Sequence, residues 1–173
     1  MCFGEMSGGR RSLIAVLVAA TISALAVSSA PAASDEVARG GGVQITLPAS
    51  WTKLVPARDR VEEPRTLLVV GTDGSRAVES DCQVSSYRVP AEGAVVVVIG
   101  WRDSVGGGSF LPLSSLKLRR GTFECFAGRG AVARLTRRAR DFQVNVMVGD
   151  KADASTVADA LDVARSFSLA PRT

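Results

Sequence analysis

The chain has 173 residues, 21 Lys or Arg against 17 Asp or Glu, and a net charge of +4. That length suits one domain, and so mild a charge points to no particular partner. There is no histidine, which excludes Ser-His-Asp and Cys-His catalysis and every metal site that needs an imidazole.

The first 32 residues read as a segment apart from the fold. Arg10 and Arg11 form a basic start, Leu13 to Val27 is an uncharged apolar run of 15 residues, and Ala30-Pro31-Ala32 is a small-residue cleavage signal. That order is a secretory signal peptide. The cut is expected after Ala32, because Pro31 would follow a cut at Ala30. The apolar run is shorter than the ~20 residues of a spanning helix, so no stable membrane span is expected after cleavage; an uncleaved anchor is the competing reading. Arg10-Arg11 also admits a twin-arginine route. The expected location is extracytoplasmic. Taking away Arg10, Arg11 and Glu5 leaves a net charge of +3.

Residues 33–42 end in Arg39-Gly40-Gly41-Gly42 and read as a flexible glycine-rich leader. No strand precedes these glycines and no Lys-Ser/Thr follows, so they are no phosphate loop. The domain proper is expected over 43–170. Val43 to Leu47 alternates as a first strand, Pro48 breaks it, and Trp51 reads as a core plug rather than a ligand platform. Residues 55–65 form a charged loop. Leu67 to Gly71 is a short buried strand, followed by a turn at Thr72-Asp73-Gly74-Ser75. The register of 76–88 is open between a strand after Cys82 and a short helix. Ala94 to Trp101 (AVVVVIGW) is a central strand buried on both faces.

Ser104 to Ser109 is a glycine loop, and 110–121 has no clear register. Thr122 to Phe126 reads as a strand with Phe123 and Cys125 on one face. Ala131, Ala133 and Leu135 alternate, as do Phe142, Val144, Val146 and Val148. The two runs are expected to pair as a hairpin around a polar tip, Arg137-Arg138-Ala139-Arg140-Asp141, with the second strand half-buried. Asp153 or Ser155 caps a helix whose apolar stripe is Val157, Ala160, Leu161 and Ala164. Phe167 and Leu169 belong to a last strand that returns to the same sheet.

Cys2 leaves with the signal peptide. Cys82 and Cys125 remain, an even count in an exported chain, and one disulfide is the natural reading. Two free thiols or a metal pair are the alternatives. A bond would close a loop with 42 residues between the cysteines and remove chain entropy worth up to about 4 kcal/mol.

Several of these segments, taken in order, carry a resemblance. They are Asp81-Cys82-Gln83, Arg88-Val89-Pro90-Ala91-Glu92-Gly93-Ala94-Val95-Val96-Val97, Phe123-Glu124-Cys125-Phe126, Arg140-Asp141-Phe142-Gln143-Val144-Asn145-Val146, and the helix before Ser166-Phe167. Together they resemble a group of small secreted proteins of high-GC Gram-positive bacteria. The resemblance implies a signal peptide plus one domain with the two cysteines paired. The plan of strand, Pro and Trp at the start, with helix and strand at the end, is similar in architecture to a PsbP-like α/β/α sandwich. The expected fold is therefore a single α+β domain, mainly antiparallel sheet with a C-terminal helix packed on it. Neither likeness carries over a functional residue.

No catalytic residue, metal or cofactor is expected. Glu62 and Glu63 are adjacent in a loop and would point apart on a strand. The trio Asp73, Glu79 and Asp81 could bind calcium weakly but lacks the D-x-D-x-D-G frame, so a solvated acidic loop is the expected reading. The charge concentration is basic: Lys117 to Arg140 holds eight basic residues against Glu124. The candidate anion-binding residues are Arg119, Arg120, Arg137, Arg138 and Arg140, expected to form one patch if the loop at 119–121 and the hairpin tip lie on one side. An anionic cell-envelope polymer or a protein partner would answer such a patch. Nucleic acid is excluded by the scarcity of interleaved aromatics and by the export address. The expected function is a non-catalytic exported binding or accessory domain; the alternative is an extracytoplasmic hydrolase using two carboxylates.

Overall fold

A computed structural model describes residues 36–56, 58–79, 86–103, 112–123 and 125–171. The expected signal peptide, the glycine loop at 104–109 and Cys82 lie outside these residues. The strands, in chain order, are β1 (Glu36–Gly40), β2 (Val43–Leu47), β3 (Trp51–Lys53), β4 (Arg65–Thr72), β5 (Arg76–Val78), β6 (Ser86–Arg88), β7 (Ala94–Gly100), β8 (Arg119–Phe123), β9 (Phe126–Arg137), β10 (Arg140–Val148) and β11 (Ser168–Leu169). Among the described residues a single 3-10 turn spans Leu113–Ser115, and one α-helix, α1 (Ala154–Arg165), precedes β11.

The valine run at 94–100 does what a two-sided apolar strand must do. Every residue of β7 is buried, and the strand sits between β4 and β10. The six-stranded antiparallel sheet runs β3-β4-β7-β10-β9-β8. On one face, Leu68, Val70, Val96, Val98, Ala133, Leu135, Phe142, Val144 and Val146 form a core with Ile45, Leu47 and Trp51. Each large apolar side chain removed from water there contributes roughly 1.5–3 kcal/mol. On the other face, Val69, Val95, Val97, Ile99 and Met147 pack with Tyr87 of β6, which pairs antiparallel with β5. Trp51 is 2% exposed, in the core as expected.

The last strand does not return to this sheet. β11 pairs with β2 in a separate three-stranded sheet ordered β1-β2-β11. Phe167, just before it, meets Phe142 with ring centroids 5.5 Å apart. The stripe on α1 is Ala160, Val163 and Ala164, with Val157 and Leu161 partly buried beside it. Small residues on that stripe let the helix lie close to the sheet. Val163 completes the stripe that the i, i+3, i+4 count from Val157 passes over.

The glycine-rich leader is also corrected. Residues 36–40 form β1, paired with β2 from Glu36↔Leu47 to Gly40↔Val43. Gly41 and Gly42 turn the chain at φ +54° and +79°, which a side chain would resist. The run GGG is also a site of close approach. A Cβ on Gly40 would stand 2.6 Å from the Leu67 carbonyl oxygen, and one on Gly41 would stand 2.8 Å from Leu67 Cβ. Leu67 projects at an irregularity of β4 between Thr66 and Leu68, and its Cδ1 also comes 2.6 Å from where a Cβ on Gly100 would be. Three glycines thus form the socket for one leucine.

The other end of the sheet also departs from the expected elements. Residues 119–121 are not a loop but part of β8, and the strand expected over Thr122–Phe126 breaks at Phe123. Phe123 and Phe126 are cross-strand partners, so Cys125 lies in the turn between them.

Asp153 caps α1. Its Oδ1 accepts from the Thr156 amide at 2.7 Å and from the Ser155 hydroxyl at 2.8 Å. The Thr156 amide first, then the Ser155 hydroxyl, hold the Asp153 carboxyl below its ordinary value. A depressed folded-state pKa gives stability that is present above the unfolded carboxyl value, ~3.9, and lost as pH falls through the folded value. Asn caps nearly as well but carries no proton to titrate. Thermal melts of Asp153→Asn and the parent between about pH 7 and 2 should therefore show the parent ahead at neutral pH, with the gap closing below about pH 4.

Candidate functional site

β9 and β10 are joined by only two residues, Arg138 and Ala139, at φ 51° and 58°. Arg137 and Arg140, rather than belonging to a loose tip, are the last cross-strand pair of the hairpin. Asp141, expected in that tip, is 5% exposed and accepts from the Thr136 hydroxyl. Strand alternation puts Arg137 and Arg140 on the face of Leu135 and Phe142, which is the face that carries the smaller sheet.

Each arginine is held differently. The Arg140 guanidinium lies 5.3 Å from the Phe142 ring centroid, and its Nε donates to the Trp101 carbonyl at 3.3 Å. Arg137 Nη1 donates to the Thr136 carbonyl at 3.1 Å. Arg138 is exposed and makes no hydrogen bond or ion pair among the described residues. Together they line a recess of about 260 Å³ with Gly42, Leu169, Ala170 and Pro171. The opposite wall is tied by the Ala170 amide donating to the Gly42 carbonyl at 3.0 Å. Among the described residues no carboxylate lines this recess.

Arg119 and Arg120 are elsewhere. Arg119 pairs across the ladder with Gly130, and Arg120 with Arg129. Gly130 is seven residues from Arg137 along β9, or roughly 24 Å at ~3.4 Å per residue. The five candidate arginines therefore form two separate groups, one at the β9–β10 turn and one beside Arg129 and Gly130 of β9, not one patch. The second group is largely occupied. Arg119 lies 5.1 Å over the Phe123 ring, Arg120 pairs with Asp150 at 3.2 Å, and Arg129 donates to the Ala152 carbonyl at 3.4 Å. Exposed pairs of this kind add little to stability.

The candidate carboxylates are dispersed. Glu63 holds the Arg102 guanidinium at 3.0 Å and accepts from the Arg102 amide at 2.8 Å. Asp73 accepts from the Gly74 amide at 2.8 Å within its own turn, and Asp81 lies outside the described residues. Asp159 and Asp162 share a recess of about 280 Å³ with Thr46 and Ser166, and Asp162 pairs with Arg165 at 2.9 Å.

A feature not foreseen lies on the second face of β10. Gln143 and Asn145, which alternation assigns to solvent, are each 1% exposed. Arg134 Nε donates to Gln143 Oε1 at 2.7 Å, and Gln143 Nε2 donates to Asn145 Oδ1 at 3.0 Å. Arg134 and Gln143 are cross-strand partners, so ladder register builds the row. β10 is thus buried on both faces, not one.

Among known proteins, no family model matches the chain and no curated protein is similar to it in sequence.

Burial makes the polar row costly to break, because the groups left behind lose both water and partner. Gln143→Leu should destabilise the domain by about 1–3 kcal/mol, read as a lower urea midpoint at unchanged slope.

Proposed function

We propose that the chain is an exported, non-catalytic binding domain that holds anionic cell-envelope polymers weakly at the β9–β10 tip. The observation that carries this reading is the convergence of Arg137, Arg138 and Arg140 on one recess with no carboxylate among the described residues that line it. Positive charge left uncompensated in a concave site raises the local concentration of an anion. Arg119 and Arg120 are secondary, since Asp150 already answers part of their charge. The export address rests on the order of basic, apolar and small residues at the start of the sequence. Among the described residues no helix is long and apolar enough to cross a membrane.

The finer fold reading, a PsbP-like sandwich, is supported by the opening through β2, Pro48 and Trp51 and the close through α1 and β11. A bond between Cys82 and Cys125 belongs to the same reading. It is supported by the even cysteine count after cleavage and by the resemblance to small secreted proteins. If that bond is present, the exported protein takes up no alkylating reagent without reductant and two equivalents after reduction, by mass spectrometry. The competing hydrolase reading would draw on Asp159 and Asp162, but they are three residues apart on one helix. Two-carboxylate chemistry needs its groups on opposite sides of a bound substrate.

The test is the double variant Arg137→Ser with Arg138→Ser, leaving Arg140 because it packs on Phe142. Both replaced side chains are exposed, so stability should stay within about 0.5 kcal/mol of the parent. Affinity for an anionic polymer should fall at least tenfold, about 1.4 kcal/mol. Parent binding should also weaken steeply as salt rises, because charges in water are screened over ~8 Å at physiological ionic strength.

A further inference from the structure

We infer, building on that reading, that the tip recess is a phosphate site, and that the left-handed turn at Arg138-Ala139 holds Arg138 over it. Arg140 spends its Nε on Trp101 and keeps both terminal nitrogens. Arg137 spends one Nη on Thr136 and keeps its other Nη. Arg138 spends none among the described residues. A carboxylate offers two oxygens, and one guanidinium fork satisfies them. A phosphate group presents its oxygens at tetrahedral angles rather than in one plane, three terminal ones in a monoester and two beside the ester oxygens in a diester, so it can engage forks arriving from several directions. Three guanidiniums around one recess of about 260 Å³ match the second acceptor and oversupply the first.

The backbone adds an independent observation. A two-residue hairpin turn with both residues left-handed is made most readily by Asn-Gly or Gly-Gly. This chain uses Arg-Ala at φ 51° and 58°, a conformation that costs an ordinary side chain roughly 1–2 kcal/mol. Such a cost at the rim of a site marks a residue kept for its side chain. The apolar part of the wall, Leu169 and Pro171, leaves room for the carbon attached to a phosphodiester.

The experiment uses the exported protein and four probes: polyphosphate, polyglutamate of matched length, inorganic phosphate as competitor, and phosphatidylglycerol vesicles. Polyphosphate should bind at least about tenfold more tightly than polyglutamate, and inorganic phosphate should displace it. Comparing polymer with vesicles shows whether the phosphate belongs to a polymer or to a lipid headgroup. Arg138→Asn should melt at a higher temperature than the parent, because Asn tolerates the left-handed turn, yet lose the preference for phosphate. Ala139→Gly should melt higher and keep it. Equal affinity for the two polymers would overturn the phosphate inference while leaving anion binding at the tip intact. Binding to none of the probes would overturn both. An Arg138→Asn variant that keeps the preference would overturn the role of the turn.

Discussion

The double burial of β10 is the constraint on which the rest depends. Its residues from Asp141 to Val148 are all buried, with β7 on one side and β9 on the other. A strand with one wet face finds its register by polarity: a slip of one residue exposes the apolar side. With both faces dry, that signal weakens, and something else must separate the two. The row Arg134–Gln143–Asn145 supplies it. A one-residue slip would carry Gln143 and Asn145 among Val96, Val98 and Ala133 with no acceptor or donor to meet them, and burial without a partner is what polar groups resist most. The same register fixes Arg137 opposite Arg140 and so leaves only two residues for the turn. The shape of the arginine recess is therefore a consequence of hydrogen bonds made on the far face of the same strand.

The parts of the fold legible in the sequence are those where one physical signal dominates. The unbroken apolar run of β7 leaves one reading, the alternation of β10 marks a strand though not its second buried face, and the capping choice for α1 narrows to Asp153 or Ser155. Harder were the places where one residue type serves two ends. Gln143 and Asn145 read as solvent-facing because polarity at alternate positions ordinarily means water. The glycines at 40–42 read as slack because glycine is flexible, but it is also the only residue that lets another chain segment come so near. The turn at Arg138-Ala139 carries no turn residue, so its length was overestimated. Of the candidate site, the arginines were visible; Gly42, Leu169, Ala170 and Pro171 were not, because only the pairing of β11 with β2 brings residues so distant in sequence to the tip.

The edges of the large sheet are managed unequally. β3 is three residues long and offers little backbone to a stray strand. β8 is five residues long and exposed except at Phe123. Arg119 and Arg120 on that edge place like charges where a second copy would have to pair, which is a common defence against edge-to-edge association. This gives the second arginine group a role that needs no ligand.

Leu67 and its three glycines bear on where the folding unit begins. A boundary drawn by composition would fall after Gly42, trimming what looks like linker. Such a cut would take away both turn glycines, the whole of β1 with buried Ala38, and much of the wall around Leu67. It would leave β2 as a new open edge beside a leucine with nothing to fill. The smallest fragment that keeps this lock begins no later than Glu36, seven residues ahead of the first strongly apolar strand. The stretch that looks most disposable in the sequence is thus the keyhole of the smaller sheet, made by side chains that are not there.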